Sequence, residues 1–369
     1  MKKFTAAVLL LTILLLSFTS CAEKPKTEIE PQSVTWINEF MNTSTSVISY
    51  AGDSKEDFER VCARVRELLG EYNALYDIHK DYEGISNLKT VNDNAGISPV
   101  EVDGRILDLV EYGIGLYSRF AYLDEGKTTD PTGATDLATG ACNIAMGAVL
   151  KLWHDARSNT DKNGNHTIPS AQELALASEH TDIGSIVVNR TMGTLYVSDP
   201  EASIDVGAIA KGFVTDRIAE ALTADAELKV DGYVLNFGGN IRLIGSKGGE
   251  DWKVGIQHPD KSKDNPYILK VSARDTSIVT SGDYERYFVQ DGVLYHHIID
   301  PDTLAPASYH RSVTVITKDG ALADALSTLL FTLHINKGYE LVSSLEGVEA
   351  MWYGTNGTVT ATAGFPTVE

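Results

Sequence analysis

Asp324 and Thr328 stand four residues apart in the stretch ADALSTLLF. On a helix that spacing puts a carboxylate and a hydroxyl on one face. The opposite face carries Leu322, Leu326, Leu329, Leu330 and Leu333, and alanines flank the acid, so a free charge there would be costly to bury. The plain reading leaves Asp324 in solvent and bonds Thr328 back to its own helix. The chemical reading is part of a hard-oxygen site, suited to magnesium completed by carbonyls, water and the phosphate oxygens of a substrate. IDVGAIAKGF, Ile204 to Phe213, sets Asp205 and Lys211 apart by small residues where a helix begins. Lys211 beside glycine resembles a phosphate loop, but Gly212 stands where that loop requires Ser or Thr, so the pattern fails. In YHHIIDP, His296 and His297 alternate sides of a strand, and one of them points at whatever the sheet buries. A neutral histidine there serves as general base or substrate anchor, or is simply a satisfied core residue.

Other stretches carry less. VTSGDYERYF reads as a Thr280-Ser281-Gly282 turn with amides free for an anion, or as a tight hairpin connection. The double glycine of NFGGNIRLIG marks a bulge or a close backbone approach. Asp161, Asn163 and Asn165 imitate a calcium loop, but His166 and Gln172 replace its glycine and glutamate, so a solvated turn is expected.

The positioning elements follow from periodicity. SVTWINEFMNTSTSVISYAG alternates as one or two strands. From Asp57, apolar residues recur at three and four (Phe58, Val61, Cys62, Val65, Leu68, Leu69, Tyr72, Leu75), which predicts an amphipathic helix. GRILDLVEYGIGLYSRF and TGACNIAMGAVLKLWHDA predict two more, and Ser170 with Glu173 forms a capping-box signature. After the IDVGAIAKGF helix the chain turns strand-rich, then closes with GALADALSTLLFTLHI and a last strand pair. Helices and strands do not alternate strictly, so the fold class is α+β.

The 369 residues carry 51 acids against 31 Lys and Arg, a net charge of −20. Such a chain is a poor partner for nucleic acid or anionic lipid, and an anionic ligand must be held by local devices. Lys2, Lys3 and the apolar run Ala6 to Leu16 form a signal segment too short for a comfortable membrane span. SFTSC then ends at Cys21 and resembles a bacterial lipobox, with Phe18 where leucine is usual. The expected organisation is a signal at 1–20, a lipidated Cys21 opening a polar tether through 33, and one domain at 34–366. The protein would then be lipid-anchored at the cell membrane on its extracytoplasmic side. Cys62 and Cys142 are expected as buried thiols.

Taken together and in order, MNT (Met41–Thr43), TGACNIAMGAVLKLW, IDVGAIAKGF, LNFGGNIRLIG, VTSGDYERYF, HIIDP and ADALSTLLF resemble the ApbE family of FAD:protein FMN transferases, over about residues 35 to 365. The resemblance implies an α+β ApbE-like fold of two similar lobes with FAD between them and magnesium at the pyrophosphate. It implies transfer of FMN from FAD to a Thr or Ser hydroxyl of a partner protein, releasing AMP. Asp324, Thr328 and the Ala208 carbonyl would hold the metal. Asp205 and Lys211 would contact FAD, with Met41 at the adenine side, Ile298 at the flavin, and Ala141, Cys142 and Asn143 in another FAD-contacting stretch. Asn143 replaces a frequent aspartate, and His79 falls where a tyrosine is frequent. His297 is preferred over His296 for catalysis, and Asp324 is the alternative base.

The partner would be an extracytoplasmic redox protein with a Ser/Thr-Gly-Ala-Thr type acceptor motif. Thr132-Gly133-Ala134-Thr135 of this chain approaches that motif, which raises self-flavinylation at Thr135. Hydrolysis of FAD to FMN and AMP, or FAD binding without chemistry, are the competing readings.

Overall fold

The computed structural model describes residues 31–50, 52–125 and 142–368. A hairpin of β1 (Gln32–Phe40) and β2 (Thr43–Ser49) comes first, starting at Gln32 rather than Val34. Then follow α1 (Lys55–Tyr76), α2 (Leu88–Asp93), β3 (Val100–Glu101) and α3 (Gly104–Glu125). The middle section holds α4 (Gly147–Ser158), α5 (Ala171–Ser178), β4 (Ile186–Asn189), β5 (Thr194–Val197) and α6 (Ala210–Ala224). Next come β6 (Tyr233–Phe237), β7 (Asn240–Ile244), β8 (Trp252–Gln257), β9 (Tyr267–Ala273) and β10 (Ser277–Gly282). β11 (Tyr287–Gln290) and β12 (Val293–His296) form a hairpin, followed by β13 (His310–Thr317) and α7 (Gly320–Thr332). The last elements are α8 (Ile335–Ser343), β14 (Glu349–Gly354), β15 (Val359–Ala361) and β16 (Thr367–Val368).

One antiparallel sheet organises these elements, in the order β1-β2-β6-β7-β10-β13-β14-β15. Its strands alternate between two cores. Tyr233, Leu235, Phe237, Val279, Val313, Val315 and Trp352 face α1, α6 and α7. Their chain neighbours Val234, Ile278, Ile316 and Met351 face Trp252, Ile256 and Val271 of the small β16-β9-β8 sheet. Burial on both faces is why these strands read as apolar runs rather than as strict alternation. A third cluster packs Phe288 of β11 against Met146, Val149 and Trp153 at α4. The Thr280-Ser281-Gly282 segment is not a turn. It completes β10 and pairs with β13, so its amides are largely committed to the sheet.

Local chemistry sets the helix ends. The Ser54 side chain accepts from the Asp57 amide at the start of α1, and the apolar stripe from Phe58 to Leu75 is buried as its spacing requires. Ser170 and Glu173 cap α5 reciprocally. Asp319 caps α7 by accepting from the Leu322 amide. Asp216 of α6 adds to that cap, accepting from the Gly320 amide at 2.6 Å and the Ala321 amide at 3.3 Å. Burial pushes the Asp216 carboxyl up to about 6, with Arg242 opposing.

Every residue of α7 except Thr328 is buried. The helix is therefore not a two-faced surface element: it lies between the sheet and α6. α6 and α7 cross so closely at Gly212 that a Cβ there would sit 2.2 Å from the Gly320 carbonyl oxygen and 2.8 Å from the Asp324 Cβ. No rotamer relieves a clash with backbone. Gly212→Ala is therefore expected to lower stability by about 1–3 kcal/mol or more through overpacking. Gly115→Ala, in open space on α3, should cost nothing and gain up to about 1 kcal/mol. Thermal or urea unfolding of the two variants checks this, and equal stability would refute the close crossing.

Candidate functional site

A cleft of about 310 Å3 opens beside this crossing. Its walls come from the β1–β2 turn, the end of α1, α4, the loop before α6, the end of β10, the segment after β12, and α7. The geometry of the cleft starts from a buried acid. Asp324 is 2% exposed, and its Oδ2 accepts from the Gly212 amide at 2.9 Å. The Lys211 ammonium lies 3.2 and 3.3 Å from its two oxygens and donates also to the Gly207 carbonyl at 3.3 Å. Thr328 stands one turn along α7 and lines the cleft. Ser327, Thr332 and Thr215 all bond back to their own helices, but Thr328 has no such bond among the described residues. Its hydroxyl is thereby left for the cleft.

The two histidines separate cleanly. His296 is buried, with Nε2 donating to the Ala307 carbonyl at 2.7 Å and Nδ1 accepting from the Ile298 amide at 3.2 Å. Both ring nitrogens are used, so it is a structural residue. His297 lines the cleft instead, with Nδ1 shut off from solvent and lacking a protein partner. Desolvation, then the Arg286 and Lys211 charges, push its imidazole down to about 3. It is therefore neutral in the ligand-free cleft.

Two turns shape the opposite rim. Met41 and Asn42 join β1 to β2 with φ of 50° at both residues. That is a two-residue turn of the kind that normally takes Asn-Gly. Holding a non-glycine residue there costs about 1–2 kcal/mol. The Met41 amide donates to Asn73 Oδ1 of α1 at 2.7 Å. Gly238 and Gly239 make the equivalent turn between β6 and β7, and a Cβ on Gly238 would fall 2.2 Å from Thr43 Oγ1. The double glycine is thus a close approach, as its sequence implied.

The remaining expected residues fall on the same cleft. Asp205 Oδ1 accepts from the Gly207 amide at 2.8 Å, and the backbone of Asp205 donates to the Ile144 carbonyl. Ala208 and Ile298 line the wall. His79 also lines it, stacked on His154 with ring centroids 4.6 Å apart. Cys142 and Asn143 are at the wall, but the Asn143 amide is spent within the protein. It donates to the Thr181 carbonyl and accepts from the Ala145 amide. Burial pushes the Cys142 thiol up to about 12. Cys21, Ala141 and Thr132 to Thr135 lie outside the described residues. The Asp161 loop is closed on itself, its carboxylate accepting from the Asn163 and Asn165 amides.

Sequence reasoning missed four cleft residues: Trp153, His154, Arg157 and Arg286. The first three share one face of α4 with Leu150, at spacings of three and four. A histidine and an arginine in an otherwise apolar stripe were the available signal. Arg286 lies within VTSGDYERYF, but a cation just before a hairpin strand is ordinarily solvated, so its residue type did not single it out.

The donor set suits a hard divalent cation. Among the described residues no three His, Cys, Asp or Glu side chains gather at one point. A metal here would rest on the Asp324 carboxylate, the Thr328 hydroxyl and backbone carbonyls of the loop before α6. That is the sparse protein set magnesium accepts when a ligand's phosphates supply the rest. The Lys211 ammonium, shared between a carboxylate and the Gly207 carbonyl, already marks the spot as one that holds a cation.

The histidine electrostatics give a spectroscopic test. In the ligand-free protein His297 should show no imidazole titration between about pH 5 and 8, since its folded pKa lies below that window. His180, whose Nδ1 meets Asp199 at 2.8 Å, should titrate above the ordinary histidine value. An NMR titration in which His297 protonates near 6.5 would overturn the sealed-cleft description.

Comparison with known proteins bears on the family and the fold. The ApbE family model matches residues 132–352. An FAD:protein FMN transferase of Treponema pallidum is 33% identical over 294 residues, 76% of this chain and 74% of that protein. One from Klebsiella pneumoniae is 28% identical, covering 81% of this chain and 83% of its own. Among solved structures, the ApbE protein of Thermotoga maritima superposes with a TM-score of 0.71 at 27% identity, over 90% of this chain and 97% of that one. The flavin transferase ApbE of Vibrio cholerae gives 0.69 at 25% identity, with 90% and 97% covered. With this α+β fold and these relatives, the chain belongs to the ApbE family.

Proposed function

We propose that the chain is a magnesium-dependent FAD:protein FMN transferase, moving FMN from FAD to a Thr or Ser hydroxyl of a partner protein and releasing AMP. One observation carries the reading: a single cleft gathers a buried carboxylate, an unbonded threonine hydroxyl, a lysine and a neutral histidine. A passive flavin binder needs neither a base nor a metal pair. Relatives that cover most of their own length with this chain are named for the same activity.

In the reaction the acceptor oxygen bonds to the phosphorus of the FMN half. The bond from that phosphorus to the AMP phosphate oxygen breaks, and the hydroxyl proton must be taken up. His297 is the better base. Both Asp324 oxygens are engaged by Lys211 and Gly212, whereas the His297 Nε2 is the ring nitrogen not sealed in the wall. An anionic pyrophosphate offsets the Arg286 and Lys211 charges that depress His297, so ligand binding raises its basicity. Asp324, Thr328 and the Ala208 carbonyl would hold magnesium, which when bound would neutralise phosphate charge. Lys211, beside Asp324 on the cleft wall, adds a positive charge for the phosphates.

The partner is an exported redox protein with a Ser/Thr-Gly-Ala-Thr type motif, and the chain is held at the outer face of the membrane by lipid on Cys21. No helix among the described residues is long and apolar enough to cross a membrane.

One assay tests the reading: FAD, magnesium and an acceptor-motif protein, with covalent flavin-protein separated from free FMN. Wild type should label the acceptor and release AMP. Asp324→Ala should abolish both products, and full activity without Asp324 would refute the metal assignment. His297→Gln should slow transfer by about 10²–10⁴-fold while FAD binding survives. Free FMN alone identifies a pyrophosphatase, and FAD left intact leaves only the binder.

A further inference from the structure

Arg286, within VTSGDYERYF, joins the two sides of the cleft. Its Nη2 donates to the Met41 carbonyl at 3.3 Å and to the Asn42 carbonyl at 3.2 Å. Its own carbonyl accepts from the His297 amide at 3.1 Å. One residue therefore touches the β1–β2 turn with its side chain and the His297 segment with its backbone. No described carboxylate lies within ion-pair distance of the guanidinium, so the charge is spent on two carbonyls.

Those carbonyls belong to the most strained turn of the cleft. Met41 and Asn42 both have φ of 50°, in a turn that demands positive φ twice and has glycine at neither place. Such a conformation persists only where surrounding contacts over-determine it. The contacts are two. Asn73 takes the Met41 amide on one side, and Arg286 takes both carbonyls on the other. Both bonds leave one nitrogen, Nη2, so the far end of the long arginine side chain spans the two carbonyls of the turn.

We propose that Arg286 is a positioning residue for substrate binding: it clamps the Met41–Asn42 turn in its strained form, so that the rim of the cleft is set before FAD arrives. This rests on the flavin transferase reading. Its distinctive consequence is that the need for Arg286 disappears once the turn favours its own shape. Glycine at position 42 makes the turn Met-Gly, whose second residue adopts positive φ without strain.

The test measures FAD affinity by fluorescence titration, together with KM and kcat for AMP release, in wild type, Arg286→Met, and Arg286→Met with Asn42→Gly. Arg286→Met should weaken FAD binding about tenfold or more and raise KM by a similar factor, with a smaller change in kcat. Adding Asn42→Gly should restore most of the affinity. If Arg286→Met does not fold, Arg286→Lys gives the same comparison, since it keeps the charge on a shorter side chain that falls short of the two carbonyls. Wild-type affinity in Arg286→Met, or a loss that Asn42→Gly does not restore, overturns the clamp. A wild-type protein that binds no FAD overturns the flavin reading, and the clamp with it.

Discussion

The cleft depends on one buried carboxylate. Asp324 sits on a helix enclosed on every side, where an unpaired charge would cost several kcal/mol. It is tolerable there because the Gly212 amide and the Lys211 ammonium both reach it. Those partners arrive only because α6 passes α7 at a distance that a methyl group would forbid. The glycine, the acid and the lysine therefore form one constraint. A change in the crossing removes the charge partners, and losing the partners leaves an expensive ion inside the core.

The sheet converts that local constraint into a site. Its two-sided burial fixes β10 and β13 under α7, so the helix cannot roll and turn Thr328 away from the cleft. The same sheet carries β1, β2, β6 and β7, whose turns build the opposite rim. Both rims are thus hung from one hydrogen-bonded frame, and the histidine segment leaves β12 between them. Rigidity matters for phosphoryl chemistry, in which positioning and electrostatics supply most of the rate.

Much of this was legible in the sequence. The three-four spacing in α1, the Ser170–Glu173 cap and the strand runs around Val234 and Val315 each report a local preference that the fold keeps. His296 and His297 also take different sides where β12 ends, the first bonded inside the core and the second at the cleft, as alternation there implies. Other features are not local. ADALSTLLF reads as two-faced because leucines and alanines do not reveal how many neighbours surround them. Thr280 to Gly282 reads as a turn because its small residues look the same when paired to β13. The role of Arg286 could not be read off, since it arises from backbone carbonyls brought from a distant element.

The pairing of β2 with β6 sets Thr45 beside Phe237 and Ser49 beside Tyr233. These partners are separated by all the helices from α1 to α6. A growing chain makes the first rim of the cleft early but has nothing to lay it against until much later. Closing so long a loop is entropically expensive and slow, and the acid on α7 comes later still. The cleft is a late product of folding, with no amino-terminal fragment that contains it. Loading of a ligand therefore belongs to the compartment in which the chain finishes folding, whichever compartment began its synthesis.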